Sequence, residues 1–151
     1  MDAPSTAGKC VLIIEDNPLN RKLFSAMVAA QGYGVLQAAD GLSGIDLAHR
    51  ECPDLIIMDI LMPGISGLEA TRRLKNDPET KDIPIIVTSG YVSPEDDEEL
   101  RACGCDAFIA KPIGVSEFLE LVEFVMLRSE RHPRSVRRLI DVNAESGPQV
   151  A

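Results

Sequence analysis

The sequence predicts an α/β protein, a doubly wound parallel sheet of five strands with five helices in a three-layer αβα arrangement. Three observations carry this. Short apolar, β-branched runs alternate five times with segments of helical spacing, which is the pattern of consecutive βα units joined by right-handed crossovers. The run at residues 10–14 is continuous rather than alternating, as a strand buried on both faces requires. The chain has 151 residues, 45% of them hydrophobic, which suits one domain, and no run of 18 apolar residues is present to cross a bilayer.

Residues 1–8 are small and polar and are expected to be disordered. The first strand, at 10–14, stops at Glu15 and Asp16. Asn17 follows as an N-cap and Pro18 as the first helical residue, and Leu19, Leu23, Met27 and Ala30 recur at helical spacing until Gly32 ends the helix. Residues 33–38 form the second strand. Asp40 caps a helix to about Glu51, which Pro53 breaks, and 54–59 is the third strand. Residues 67–76 make the next helix, stopped by Asp77 and Pro78. The fourth strand covers 83–88, with Pro84 tolerated at its start.

Ser93, Pro94, Glu95 and Asp96 resemble a capping box, so the acidic run 95–99 opens a helix whose dipole favours negative charge there. Residues 107–111 are the fifth strand and 115–127 the last helix. From 128 to 151 the apolar periodicity is lost and Pro133, Gly147 and Pro148 appear, so this stretch reads as a basic, flexible tail. Within it, residues 135–140 have room for one or two basic amphipathic turns.

Charge and cysteine content narrow the function. Net charge is −9, and residues 1–127 alone hold ten basic against twenty-one acidic side chains. An acidic body disfavours nucleic acid as a partner. Cys10, Cys52, Cys103 and Cys105 show neither a CxxC pair nor zinc spacing, and are expected to be buried, reduced thiols. With no secretory signal at the start, the cytoplasm is the expected compartment. His49 and His132 have no visible partner in the sequence and are expected at the surface.

The chemistry converges at the carboxyl ends of the strands, where open parallel sheets bind ligands. Strand one ends in Glu15 and Asp16, strand three in Asp59, strand four in Thr88 and Ser89, and strand five in Lys111. Three carboxylates in one small pocket repel unless a cation joins them, and hard oxygen donors of this kind suit Mg²⁺, with Mn²⁺ the alternative. A carboxylate such as Asp59 can act as nucleophile and form an aspartyl phosphate, with Lys111 neutralising the phosphoryl oxygens. No glycine-rich nucleotide loop follows the first strand. A dehalogenase-type phosphatase would need a second acid where Leu61 stands, and a flavin-phosphate loop would meet carboxylates.

Over residues 9–127 the sequence resembles the receiver domains of two-component response regulators. The matching motifs are Ile14-Glu15-Asp16-Asn17, Met58-Asp59-Ile60-Leu61-Met62-Pro63 with Gly67 eight residues past Asp59, Val87-Thr88-Ser89, and Ala110-Lys111-Pro112. Among receivers it is similar to the stand-alone, DivK-type cell-cycle class, on the runs Glu15-Asp16-Asn17-Pro18-Leu19-Asn20 and Lys111-Pro112-Ile113. The resemblance implies a flavodoxin-like strand order of 2-1-3-4-5. It implies that Asp59 accepts a phosphoryl group from a phosphohistidine of a sensor kinase or phosphotransferase. Mg²⁺ would be bound by Asp16, Asp59 and the backbone carbonyl of Leu61, with Glu15 acting through water.

Further implications are a contact of Lys111 with the phosphoryl group, a cis Lys111–Pro112 bond, and a switch in which Thr88 turns toward the phosphate while Phe108 rotates inward. That switch would change the face of the fourth helix, fifth strand and fifth helix, which meets a downstream target protein. Such a protein is no enzyme beyond its own phosphorylation and dephosphorylation. The segment after Leu127 is too short for a DNA-binding effector, so the expected output is protein contact. Onward transfer to a histidine phosphotransferase, as relay or phosphate sink, is the alternative, and DNA binding through the arginine-rich tail a distant third. Ser89 and Phe108 stand where many receivers have a smaller residue and Tyr. Leu61 and Gly90 cannot orient a water, so a slowly decaying phosphoryl group is expected.

Overall fold

The computed structural model describes residues 8–90, 94–131 and 140–141. In chain order the elements are β1 (Cys10–Ile14), α1 (Pro18–Ala30), β2 (Gly34–Ala38), α2 (Gly41–Glu51), β3 (Leu55–Asp59), α3 (Gly67–Lys75), β4 (Ile85–Ser89), α4 (Pro94–Ala102), β5 (Ala107–Ala110), α5 (Val115–Arg131) and β6 (Ile140–Asp141). All pairings are parallel and the order is β2-β1-β3-β4-β5-β6. The five expected strands thus lie in the expected 2-1-3-4-5 order, and a two-residue sixth strand extends the sheet beyond β5.

Local chemistry accounts for the helix starts. Asn17 Oδ1 accepts from Asn20 N at 3.0 Å ahead of Pro18, Asp40 Oδ1 from Ser43 N at 2.8 Å, and Ser66 Oγ from Glu69 N at 3.1 Å. Each satisfies an amide that the first helical turn leaves without a partner. The central strands are buried along almost their whole length, and successive side chains face opposite helical layers. Val11, Ile13 and Ile57 face one cluster with Phe24, Val28, Phe118 and Val122 of α1 and α5. Leu12, Ile14, Ile56 and Met58 face a second cluster with Leu68, Leu74 and Leu100 of α3 and α4. Successive side chains point to opposite faces, so continuous apolar strands need helices on both sides.

At the end of the sheet away from Asp59, Lys75 closes α3 onto β4 and β5. Its Nζ donates to Ile83 O at 2.5 Å, Lys81 O at 3.2 Å and Asp106 Oδ2 at 3.0 Å, and both charged side chains are 4% exposed. Asp106 Oδ2 also accepts from Ile85 N at 2.8 Å. This buried ion pair carries no signal in the sequence, because thirty-one positions separate its members.

Several expectations are corrected. Of the residues whose spacing marks α1, Met27 is buried with Phe24 and Val28, whereas Leu19 and Leu23 are 77% and 54% exposed. β4 begins two residues later than expected, at Ile85, although Pro84 O still accepts from Ile56 N at 3.0 Å. α5 does not stop at Leu127 but runs to Arg131. Of the cysteines, Cys103 and Cys105 are buried, but Cys10 is half-buried and Cys52 is exposed. Cys52 caps α2 in the left-handed conformation, with φ 47°.

His49 has partners after all: Nδ1 lies 3.0 Å from Ile45 O and Nε2 2.6 Å from Asp77 Oδ2. The tertiary fold supplies Asp77 from the loop after α3. Ile140, expected in a flexible tail with room for an amphipathic turn, lies in β6. The expectations for residues 1–7, for Ser93, for His132 and for most of the tail fall outside the described residues.

Candidate functional site

Adjacent parallel strands end at one level, so their last residues meet. Asp59 pairs with Thr88 across β3 and β4, and Ser89 with Ala110 across β4 and β5. Glu15 follows β1, its amide bonded to Ala38 O at 3.1 Å. Glu15, Asp59, Thr88 and Ser89 are all buried, while Asp16 is exposed at the mouth. One ligand atom from each of Glu15, Asp16 and Asp59 lies within 4.8 Å of the others.

Lys111 binds two of these acids at once. Its Nζ is 3.0 Å from Glu15 Oε1 and 3.1 Å from Asp59 Oδ1. One ammonium against three carboxylates leaves excess negative charge, and the electrostatics show it. Burial first, and then the charge of Glu15, push Asp59 up to about 6 against the pull of Lys111. Burial alone would depress Lys111, but its hydrogen bond to Glu15 and the charge of Asp59 outweigh that and raise it above the ordinary lysine value. The donor set is hard oxygen, crowded and under-neutralised, which fits a small divalent cation.

Thr88 adds an unused donor. Its side-chain oxygen is fully buried and has no hydrogen-bond partner among the described residues, which is costly unless a ligand oxygen is received there. Leu61 lies in the loop two residues past Asp59 with its side chain 67% exposed, and Phe108 is 6% exposed. Phe108 packs in the cluster that contains Val87 and Leu100. The Lys111–Pro112 bond is cis, as expected.

Two supports refine this picture. A Cβ at Gly67 would sit 1.9 Å from the carbonyl oxygen of Asp59, so only glycine lets the start of α3 approach the β3 terminus this closely; its N–H donates to Ile60 O at 2.8 Å. Arg21, which the sequence reading passed over, donates from Nη1 to Glu15 O at 2.8 Å and holds the acidic loop from α1. Its position one helical turn past the cap is the only local signal for it. Beside Lys111 a cleft of about 430 Å³ is lined by Asn20, Leu23, Phe24, Met27, Pro112 and Ile113.

A doubly wound sheet that gathers three acids, a shared lysine and an orphan threonine hydroxyl at its carboxyl edge is the architecture of a signalling receiver domain. The response regulator receiver domain family matches residues 11–123, and the chain belongs to that family. It is 45% identical over 115 residues to the polar-differentiation response regulator DivK of Brucella anthropi, covering 76% of this chain and 94% of that one, and equally to DivK of Brucella ovis.

Among solved structures it is similar to the chemotaxis protein CheY4 of Vibrio cholerae, with TM-score 0.74, 29% identity, and 79% and 99% of the two chains covered. It is similar also to the receiver domain of the sensor histidine kinase PA1611 of Pseudomonas aeruginosa. There the TM-score is 0.74 at 31% identity, over 80% and 98% of the chains, and that structure carries a magnesium ion in its active-site cleft. Among the described residues no helix is long and apolar enough to cross a membrane.

Proposed function

We propose that this chain is a stand-alone response regulator that takes a phosphoryl group onto Asp59 from a phosphohistidine donor. The observation that carries the reading is the buried Asp59 carboxylate sharing Lys111 with Glu15, beside a Thr88 hydroxyl that lacks a partner among the described residues. Asp16 and Asp59, with the backbone carbonyl of Leu61, would hold Mg²⁺, and Glu15 would hold it through water. The ion, when bound, supplies positive charge that neutralises the phosphoryl oxygens and the crowded carboxylates.

The chain's own groups do the rest. Asp59, ionised, presents an oxygen to the phosphorus; the P–N bond to the donor imidazole breaks as the new P–O bond forms, and the imidazole nitrogen leaves with the electron pair. Lys111 moves its hydrogen bonds from the carboxylates to a phosphoryl oxygen. Thr88 donates its hydroxyl to another. Little covalent chemistry is asked of the protein beyond the nucleophile, so positioning and charge account for most of the rate.

The donor docks, in this reading, at the cleft beside Lys111. Leu19 and Leu23 are exposed apolar side chains on the same helix that lines it, and exposed apolar groups clustered next to a reactive site mark a contact surface. A sensor kinase or phosphotransferase helix laid on α1 would bring its phosphohistidine to Asp59. Output follows through contacts of the α4-β5-α5 face with a target protein, in cell-cycle or developmental control.

The test is intact-protein mass after incubation with acetyl phosphate, with and without Mg²⁺, for the wild type and Asp59→Asn. The expected result is a single phosphoryl adduct that needs both the metal and Asp59. An adduct of equal yield in Asp59→Asn would place the acceptor elsewhere and overturn the reading.

A further inference from the structure

Cys103 follows the last residue of α4, and Cys105 stands two residues before β5 begins. Gly104 between them has φ 95°, a left-handed turn of the kind that ends helices and favours glycine. The turn brings both side chains to one acceptor: Cys103 Sγ lies 3.1 Å and Cys105 Sγ 3.9 Å from Leu100 O. The two thiols also hydrogen-bond each other. They are 2% and 5% exposed, yet Arg101 and Ala102 beside them are exposed, so the pair lies just beneath the surface.

A buried cysteine in apolar surroundings is inert. Here the neighbour makes the two thiols chemically different. The hydrogen bond from Cys105, with the charge of Arg72 on α3 adding to it, lowers Cys103 to about 7 against the effect of burial, so about half of it is thiolate at neutral pH. The hydrogen bond to Cys103, and then burial, raise Cys105 well above the ordinary thiol value. One sulfur is a nucleophile and the other a protonated partner beside it, as in an attacking and a resolving cysteine. The other two cysteines lack this arrangement. Burial and the charge of Asp54 push Cys10 up, and the exposed Cys52 has its sulfur 3.8 Å from His49 O.

We propose that Cys103 and Cys105 form a reversible redox-modification site, in which a peroxide joins the two sulfurs across Gly104. The Cys103 thiolate attacks one peroxide oxygen; an S–O bond forms, the O–O bond breaks, and the departing hydroxide takes up the proton that Cys103 released. Cys105 then attacks the sulfenic sulfur. The S–S bond forms as the S–O bond breaks, and the second hydroxide leaves with the Cys105 proton. Two thiols have lost two electrons, and hydrogen peroxide has become two waters. Burial selects for a small oxidant, and a disulfide closed over one intervening residue is a short ring that thiols reopen readily.

Leu100, Cys103, Cys105 and Phe108 belong to one buried cluster. Joining the sulfurs therefore changes the packing around Phe108, the residue that the phosphorylation reading makes the switch. That consequence rests on that reading, whereas the thiol site does not.

The test treats the full chain with hydrogen peroxide, removes the excess with catalase, alkylates the remaining thiols after unfolding, and measures mass with and without dithiothreitol. The tryptic peptide that begins at Ala102 holds both cysteines. The expected result is that it loses two hydrogen atoms, takes no alkyl group, and regains both thiols with dithiothreitol. Cys105→Ala should stop at a sulfenic acid on Cys103, trapped by dimedone, and Cys103→Ala should oxidise at least about tenfold more slowly than the wild type at this peptide. Circular dichroism checks that both variants fold, and the wild-type peptide decides the site if either does not.

Oxidation of Cys52 while Cys103 and Cys105 are both still alkylated would overturn the site. So would a bond from either of them to Cys10 or Cys52, or conversion of Cys103 straight to sulfinic acid. Oxidation should also shift the Phe108 amide in the NMR spectrum, and an unchanged Phe108 overturns the coupling. The thiol chemistry does not use Asp59, so a missing acetyl phosphate adduct would count against the phosphorylation reading alone.

Discussion

Replacing Lys75 by Met removes the ammonium that holds α3 to the amino ends of β4 and β5, and the structure sets the size of the effect. Lys75 and Asp106 are each 4% exposed and 3.0 Å apart, and the same ammonium donates to the carbonyls of Lys81 and Ile83. The methionine keeps the volume of the stem, so packing is conserved and the loss is electrostatic. Taking one partner from a buried pair leaves a desolvated carboxylate, which costs about 3–5 kcal/mol.

For a domain of this size that loss lowers Tm by roughly 10–20 °C. Urea unfolding of the full chain, read as a shift in midpoint at constant slope, measures it. The double variant Lys75→Met/Asp106→Leu removes both charges and should recover most of the loss. The deficit that stays is on the order of 1 kcal/mol, because Ile85 N–H still loses its acceptor. A cost below about 1 kcal/mol for Lys75→Met alone would refute the argument, since it would mean that the pair is solvated.

Other consequences follow from the same contacts. The hydrogen bond that His49 donates to the Asp77 carboxylate raises the His49 pKa above its ordinary 6.5, so the folded state binds the proton more tightly. The ion pair therefore stabilises the fold fully below pH about 6.5 and is lost as pH rises through the raised value. The Tm difference between wild type and His49→Ala should shrink on going from pH 6 to pH 9, and a constant difference would count against it. Gly67→Ala should destabilise by about 1–3 kcal/mol and slow the acetyl phosphate reaction, because the new Cβ meets the Asp59 carbonyl oxygen at 1.9 Å; equal stability in urea would show that α3 moves freely. Leu61 and Gly90 bring no water-orienting group, so the phosphoryl group should decay slowly. Leu61→Gln should shorten its lifetime by roughly tenfold, and an unchanged lifetime in a radiolabel chase would dismiss Leu61 as a determinant.

What could be read along the chain was whatever depends on near neighbours. Continuous apolar runs marked strands buried on both faces, and the caps at Asn17 and Asp40 lay where hydrogen bonds now show them. The acids, threonine and lysine could be placed together without coordinates, since parallel strands of equal length finish at one end and each chemical residue stood at the end of its run. Leu19 and Leu23 helped to mark α1 as a helix but do not belong to its buried face. Helical spacing tells which residues share a stripe but not which stripe faces the sheet, and Phe24 and Val28 took the core.

The sequence by itself determined the βα alternation, the family and the residues at the carboxyl edge, because each is written in local spacing and residue type. Only the tertiary structure decided the rest. It joined Lys75 to Asp106 and His49 to Asp77, gave Lys111 both Glu15 and Asp59 to bind, and laid Ile140–Asp141 on the edge of β5. The physical reason is that these contacts are made between residues far apart in the chain. Their partners are selected by the packing of helices on a closed sheet order, and short-range pattern carries no record of that selection.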